Sequence, residues 1–147
     1  MLQEKIQNDL KQAMKAGEEA RLLLLRGLSA AIHNQEIQKR SSGKAEPLTE
    51  EEVIQVLQRE AKKRKEAAEL FGKGGRNDLK EKEEKELALI GAYLPAQMSR
   101  EEIRSVVDRL YDAGNKEFTA LIKEAIKELK GKAEGGTVSE VIKEKLG

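Results

Sequence analysis

The stretch ELALIGAYLPAQMSREEI, residues 86–103, decides the fold, because one helical pattern ends within it and another begins. Pro95 disfavours the helical conformation for Leu94, so the preceding helix must end before this point. Ser99 is then followed three residues later by Glu102, which is the spacing of a capping box at a helix N-terminus. The stretch therefore predicts a boundary between two domains.

Apolar residues recur at the three- and four-residue spacing of α-helices on both sides of this boundary. Four such runs precede it and three follow it, and with 3% aromatic residues and two prolines the composition does not favour β-structure. We therefore predict an all-α protein. Its N-terminal domain, residues 1–95, is expected to contain four helices, and its C-terminal domain, residues 96–147, three.

Capping and turn signals predict where the helices begin and end. Three Ser/Thr-x-x-Glu motifs precede apolar runs and predict helix N-caps at Thr49, Ser99 and Thr137. Gly17 lies where the first helix should end. The turn-forming residues SSGKAEP, 41–47, predict a loop after the second helix.

The composition excludes several classes of protein. Charged residues make up 37% of the chain and hydrophobic residues 38%, which allows only a modest core. The absence of cysteine excludes disulfides, thiolate nucleophiles and sulfur-ligated zinc, and it fits a reducing compartment. No stretch approaches the ~20 apolar residues of a membrane span, and the polar, acid-containing start does not match a targeting peptide. We therefore expect a cytoplasmic protein without a membrane partner.

Few residues suggest catalytic chemistry. His33 is the only histidine, and one histidine without cysteine cannot supply a histidine-based metal cluster. Acidic runs such as Glu50–Glu52 match a solvated helix surface or a helix N-terminus. No serine lies in a strand-to-helix nucleophile turn. We therefore predict no catalytic residue, no metal and no cofactor.

Two glycine-rich segments could in principle hold phosphate. GKGGR, residues 72–76, lacks the spacing of a phosphate-binding loop and follows a helix, so a helix C-cap and turn is favoured. KGKAEGGT, residues 130–137, joins the sixth and seventh helices, and its glycines permit positive φ angles. Its two lysines could also hold a backbone phosphate.

Charge patterning points to one candidate binding surface. Because 28 basic residues balance 27 acidic ones, a nucleic-acid surface would have to come from local clustering. Lys123, Lys127 and Lys130 recur at i, i+4 and i+7 and share one helix face, which Lys132 extends. An ordinary solvated face is the alternative. The basic run at residues 62–65 has carboxylates at helical pairing distance, which favours ion pairs within the helix.

Four segments, taken in order, resemble the YqeY family, which is related to the C-terminal tail region of the GatB subunit of tRNA-dependent amidotransferases. They are KQAMKAGEEARLLLLRGLSAAIHNQEI, LTEEEVIQVLQREAKKRKEAAELFGKGGRNDL, ELALIGAYLPAQMSREEI and KGKAEGGTVSEVIKEKL. The resemblance covers essentially the whole chain and implies a helical N-terminal domain followed by a tail-like domain. The tail-loop pattern is matched at Gly131, Lys132, Ala133, Glu134 and Gly135.

In the amidotransferase, the tail region is associated with binding tRNA, while the chemistry lies in other domains and subunits. The resemblance therefore implies a non-catalytic accessory protein of tRNA metabolism, whose partner is tRNA, a tRNA synthetase or an amidotransferase, with no DNA partner expected. The predicted nucleic-acid-binding residues are Lys123, Lys127, Lys130, Gly131, Lys132 and Gly135.

Two other functions remain open. The first is a protein–protein adaptor that makes no RNA contact. The second is an amide-forming enzyme or subunit, that is, a carbon–nitrogen ligase using glutamine as amido donor. This chain shows no glutaminase or nucleotide-binding motif for the second function, and kinship with an enzyme subunit does not transfer its activity.

Overall fold

The computed structural model describes all 147 residues and contains seven α-helices and no strand, which confirms the all-α prediction. The contacts group four helices in one compact unit, Met1–Leu94, and three in a second, Pro95–Gly147. The helices are α1 (Leu2–Ala16), α2 (Glu19–Ser41), α3 (Glu50–Lys73), α4 (Asn77–Gly91), α5 (Arg100–Asp112), α6 (Phe118–Glu128) and α7 (Gly135–Leu146).

The N-terminal unit is held together by an apolar core to which all four of its helices contribute. The leucine-rich α2 buries Leu25, Leu28 and Ile32 to 2% exposure or less. They form one cluster with residues of α1, α3 and α4, among them Ile6, Val53, Val56, Leu57 and Ile90. Burial of large aliphatic side chains is the dominant favourable term in folding such a unit.

The C-terminal unit has its own, smaller core. Each of its three helices places three residues on one face, or at its C-cap, and all nine are at most 8% exposed: Ile103, Val107, Leu110, Leu121, Ala125, Leu129, Val138, Val141 and Ile142. Ion pairs across the outside of the helices accompany this core, such as Lys145 with Asp108 at 3.1 Å.

Two of the three predicted caps are confirmed. Thr49 Oγ1 accepts from the Glu52 N–H at 3.2 Å, and Glu52 Oε1 accepts from the Thr49 N–H at 3.1 Å, which completes a capping box. Ser99 Oγ accepts from the Glu102 N–H at 3.1 Å. Gly17 ends α1 in the left-handed conformation, with φ of 71°.

The third predicted cap is wrong. Helix α7 begins at Gly135, its N-cap is Glu134, and Thr137 is its third residue. The cause is the tight turn that precedes α7. There the N–H groups of Lys132 and Ala133 both donate to the Leu129 carbonyl. The Val138 N–H then reaches the Glu134 carbonyl at 3.1 Å, so helical bonding starts before the threonine.

Candidate nucleic-acid interface

The predicted basic surface lies on α6 and the turn that follows it. We call Lys123, Lys127, Lys130 and Lys132 the lysine face. All four side chains are exposed. Lys123 and Lys127 lie on α6 as predicted, and Lys132 lies in the turn that follows. The placement of Lys130 on the helix was wrong, because α6 ends at Glu128 with Leu129 as its C-cap. The opposite side of α6 carries its buried residues, Leu121 and Ala125, so the lysines are directed away from the core.

The turn between α6 and α7 depends on a glycine. Leu129 is the C-cap of α6, and Gly131 then adopts φ of 77°, a conformation that L-residues with a Cβ rarely accept. The Lys132 N–H donates to the Leu129 carbonyl at 2.9 Å and closes the turn. Gly131 is therefore needed for the shape of this turn, whatever the turn binds.

The segment before α5 donates two hydrogen bonds to the backbone of this turn. Gln97 Nε2 donates to the Gly131 carbonyl at 2.9 Å, and the Met98 N–H donates to the Lys132 carbonyl at 2.8 Å. With both carbonyls engaged, the backbone of the turn is held while the Lys132 side chain stays exposed.

The N-terminus of α7 lies at the end of the same turn. Its first two residues, Gly135 and Gly136, are exposed, and no side-chain cap bond is made to the first turn of the helix. A side chain at Gly135 would meet nothing within 4 Å. The N-terminus of α7, with its N–H groups and positive dipole end, is therefore open at Gly135. At Gly136, Oε1 of the N-cap residue Glu134 would lie 3.6 Å from an added Cβ.

The acidic residues near the lysine face are partly neutralised. Arg109 of α5 forms an ion pair with Glu128, and the Arg109 guanidinium, with a weaker contribution from Lys132, lowers the pKa of Glu128. Lys123 and Lys127 make no ion pair within 4 Å. The basic charge of the lysine face is thus uncompensated at its two α6 positions.

The other sequence candidates have structural explanations. In the basic run, Lys63 and Arg64 pair with Glu60 at 3.0 and 3.6 Å, as the helical spacing predicted. Arg64 also pairs with Glu86 of α4 at 3.3 Å, which the sequence did not indicate.

The glycine-rich segment after α3 is a helix C-cap and turn, as predicted. Gly75 has φ of 74°, and the Arg76 N–H donates to the Phe71 carbonyl at 2.8 Å. His33 is 65% exposed on α2, where its Nδ1 lies 3.9 Å from Glu36. No three histidine, aspartate or glutamate side chains gather where they could hold a metal ion.

One polar cluster escaped the sequence reasoning. The Tyr93 hydroxyl, at the end of α4, donates to Asp9 Oδ2 of α1 at 2.5 Å, and Arg21 Nη2 of α2 lies 3.8 Å from the same oxygen. Burial, and then the Asp9 carboxylate, raise the pKa of Tyr93. The two partners are 84 residues apart, so no local spacing could reveal them. The one available signal was an aromatic residue beside the Pro95 junction.

None of the seven helices has the length and apolar character needed to cross a membrane. Two features therefore stand out, the exposed lysine face in the C-terminal unit and the cluster of Tyr93, Asp9 and Arg21 in the N-terminal unit.

Comparison with known proteins finds one matching family model and three similar proteins that share a name. The family model described as Yqey-like protein matches residues 3–146. Three proteins named altered inheritance of mitochondria protein 41, mitochondrial, are also similar. The Eremothecium gossypii protein is 34% identical over 105 residues, covering 70% of this chain and 55% of that protein.

The two other relatives give similar values. The Lachancea thermotolerans protein is 30% identical over 131 residues, covering 87% of this chain and 68% of that protein. The Vanderwaltozyma polyspora protein is 32% identical over 122 residues, covering 81% of this chain and 64% of that protein. The chain thus spans between 55 and 68% of the length of these three relatives.

Proposed function

Because the chain belongs to the YqeY-like family, we propose that it is a non-catalytic accessory protein of tRNA metabolism that binds tRNA through the lysine face. The proposal joins the resemblance of the C-terminal unit to a tRNA-associated tail with the surface of that unit where four exposed lysines follow one another along α6 and its turn. We propose that the protein acts in the cytoplasm. The word mitochondrial is part of the names of the three relatives and describes those proteins.

The observation that carries the proposal is the uncompensated charge of Lys123 and Lys127. A lysine that already pairs with a carboxylate must lose that partner before it can neutralise a phosphate, and its net gain is small. Lys123 and Lys127 have no such partner to lose. Each phosphate that they neutralise releases condensed counterions from the RNA, which is the main source of affinity in such contacts.

The glycines support the same proposal by geometry. Gly131 turns the chain between α6 and Lys132 with φ of 77°. Gly135 leaves room for a phosphate on its side of the start of α7, since a side chain there would meet nothing within 4 Å. The Glu134 carboxylate lies near Gly136 instead. Gly131 and Gly135 would therefore act through shape, and the lysines through charge.

Binding of tRNA across a salt series tests the proposal. If all four lysines contact phosphates, affinity should fall with a log–log slope of about −3, or about 50- to 150-fold between 50 and 200 mM salt. Changing Lys127→Glu and Lys130→Glu together should weaken binding strongly and flatten the slope. Helicity should persist, because both positions are exposed, Glu is a good helix former at position 127, and Lys130 lies outside α6. Fluorescence anisotropy with labelled tRNA measures both quantities.

A matched control variant makes the same change in net charge at a site outside the lysine face. Lys82 and Lys85 are exposed residues of α4 in the N-terminal unit, and the Lys82→Glu, Lys85→Glu double variant should bind tRNA nearly as the unchanged protein does. If both double variants lose affinity equally, the charge effect is non-specific. If neither loses any, the lysine face is an ordinary solvated surface, and the protein–protein adaptor becomes the better proposal.

A further inference from the structure

A pocket in the N-terminal unit carries an inference that is independent of RNA binding. It lies between α1, α2 and α4, and its volume is about 370 Å³. Small-molecule sites in proteins typically begin at about 300 Å³. We call it the Tyr93 pocket, because Tyr93 lies at its polar end.

One wall of the Tyr93 pocket is apolar. Leu24 and Leu25 contribute from the core and are 3% and 1% exposed. Leu89 of α4 also lines the pocket, yet it remains 38% exposed. Because Leu24 and Leu25 expose almost no surface, an aliphatic group here would mainly cover Leu89 and bury its own apolar surface. It would be stabilised in proportion to that area.

The carboxylate at the polar end is already satisfied. Asp9 accepts the Tyr93 hydroxyl at 2.5 Å and lies 3.8 Å from the Arg21 guanidinium. Arg21 also binds Glu18 at 3.2 Å on the outer side. Asp9 is therefore not an open acceptor for a cationic ligand, which would have to displace Arg21 to reach it.

Three charged residues line the same end of the pocket, the cations Lys5 and Arg21 and the carboxylate Asp9. The Lys5 ammonium lies 5.5 Å from the centre of the Tyr93 ring and makes no ion pair with any carboxylate. A guanidinium has five N–H donors, and the two carboxylates near Arg21 leave some of them available. Among these three lining residues, one further negative charge would balance Lys5 and Arg21 against Asp9, whereas a dianion such as phosphate would leave a negative excess beside Asp9 and Glu18.

We infer that the Tyr93 pocket binds a carboxylate carried on an apolar chain, with the carboxylate between Lys5 and Arg21 and the chain against Leu24, Leu25 and Leu89. This chemistry occurs in a free aliphatic acid and in the C-terminal residue of a polypeptide. Both present one delocalised negative charge next to an apolar body.

The protein contains a built-in reporter for this site. It has two tyrosines and no tryptophan, so a Tyr111→Phe variant of the full chain leaves Tyr93 as its single fluorescent tyrosine. Titration with hexanoate should change this emission saturably at millimolar concentrations, as expected for a ligand of so few atoms. Hexanol and hexylamine, which have the same chain without the negative charge, should bind about tenfold more weakly or less.

A pair of lysine variants in the same background tests the geometry. Lys5→Ala should weaken hexanoate about tenfold, since it removes the unpaired ammonium. Lys11→Ala removes an equally exposed lysine of α1 that does not line the pocket, and it should leave the affinity unchanged. Circular dichroism should confirm that both variants keep the helical content of the parent.

Two peptides test whether the carboxylate comes from a polypeptide C-terminus or from a free aliphatic acid. N-acetyl-Gly-Leu with a free carboxylate is compared with its C-terminal amide. Tighter binding of the acid than of hexanoate identifies a polypeptide C-terminus, and tighter binding of hexanoate identifies a free aliphatic acid. The inference is overturned if hexanoate gives no saturable change, if hexanol binds equally well, or if Lys5→Ala has no effect. None of these outcomes bears on tRNA binding, which the lysine face tests separately.

Discussion

At the scale of single residues, Glu52 has two functions at one helix end. It accepts the Thr49 N–H in the capping box, and it pairs with Lys39 of α2 at 2.7 Å, which ties the start of α3 to the end of α2. The Lys39 ammonium and then the Thr49 N–H lower the pKa of Glu52 from 4.5 to about 2.

Glu52 should therefore make stability depend on acidity. Its pKa is lower in the folded than in the unfolded state, so its contribution is present above pH 4.5 and is lost as pH falls towards 2. Urea unfolding midpoints at pH 6, 4 and 3 should fall more for the unchanged protein than for Glu52→Gln, which has no carboxylate there. Parallel pH curves for the two proteins would contradict this assignment.

Tyr93 contributes a second residue-level contact, across 84 residues of sequence. Tyr93→Phe should lower the free energy of unfolding by about 1–3 kcal/mol, because it removes a hydrogen bond to a partly buried carboxylate. Tyr111→Phe removes a hydroxyl for which no hydrogen bond is seen and should cost less than about 0.5 kcal/mol. Urea denaturation followed by circular dichroism compares the two. Equal losses would mean that the Tyr93 hydroxyl adds nothing.

At the scale of secondary-structure elements, two similar Ser/Thr-x-x-Glu motifs have different positions relative to the helix start. Ser99 caps α5, whereas Thr137 lies inside α7. Ser99→Ala should destabilise the C-terminal unit by about 0.5–2 kcal/mol. Thr137→Ala removes no cap bond and should change stability by less than about 0.5 kcal/mol. Thermal unfolding of both variants measures the difference, and a larger loss at Thr137 would show that α7 begins later than Gly135.

The helices could be predicted because their signals are local. Apolar spacing indicated every helix, and Thr49, Ser99 and Gly17 marked their ends through bonds within one turn. The start of α7 could not be predicted, because the turn before it is set by Gly131 and by bonds from the distant Gln97 and Met98. Helical spacing predicted a shared face for Lys123 and Lys127, but Lys130, expected on the same helix, lies beyond its end. The Tyr93 pocket could not be predicted, because it needs three helices to meet.

At the scale of the whole molecule, we predict that the division at residues 1–95 and 96–147 is a division into domains that fold independently. A fragment Pro95–Gly147 contains a complete apolar core and the Ser99 cap. It should be helical and unfold cooperatively, with low stability because about 50 residues bury little surface. A fragment that starts at Ser99 lacks the bonds from Gln97 and Met98 and should be less stable. A random-coil circular dichroism spectrum for the longer fragment would contradict the two-domain interpretation.

The hydrogen bond from Met98 to Lys132 has a consequence for slow motions. Met98 lies outside every helix, yet its N–H is bonded at 2.8 Å to a carbonyl 34 residues away. Its amide proton can exchange with deuterated solvent only when that bond opens. Met98 should therefore be a slowly exchanging amide in an otherwise irregular segment, and its exchange rate reports how often the turn beneath Lys132 comes apart. A polyanion bound to that turn would therefore slow amide exchange at Met98 without contacting Met98 itself.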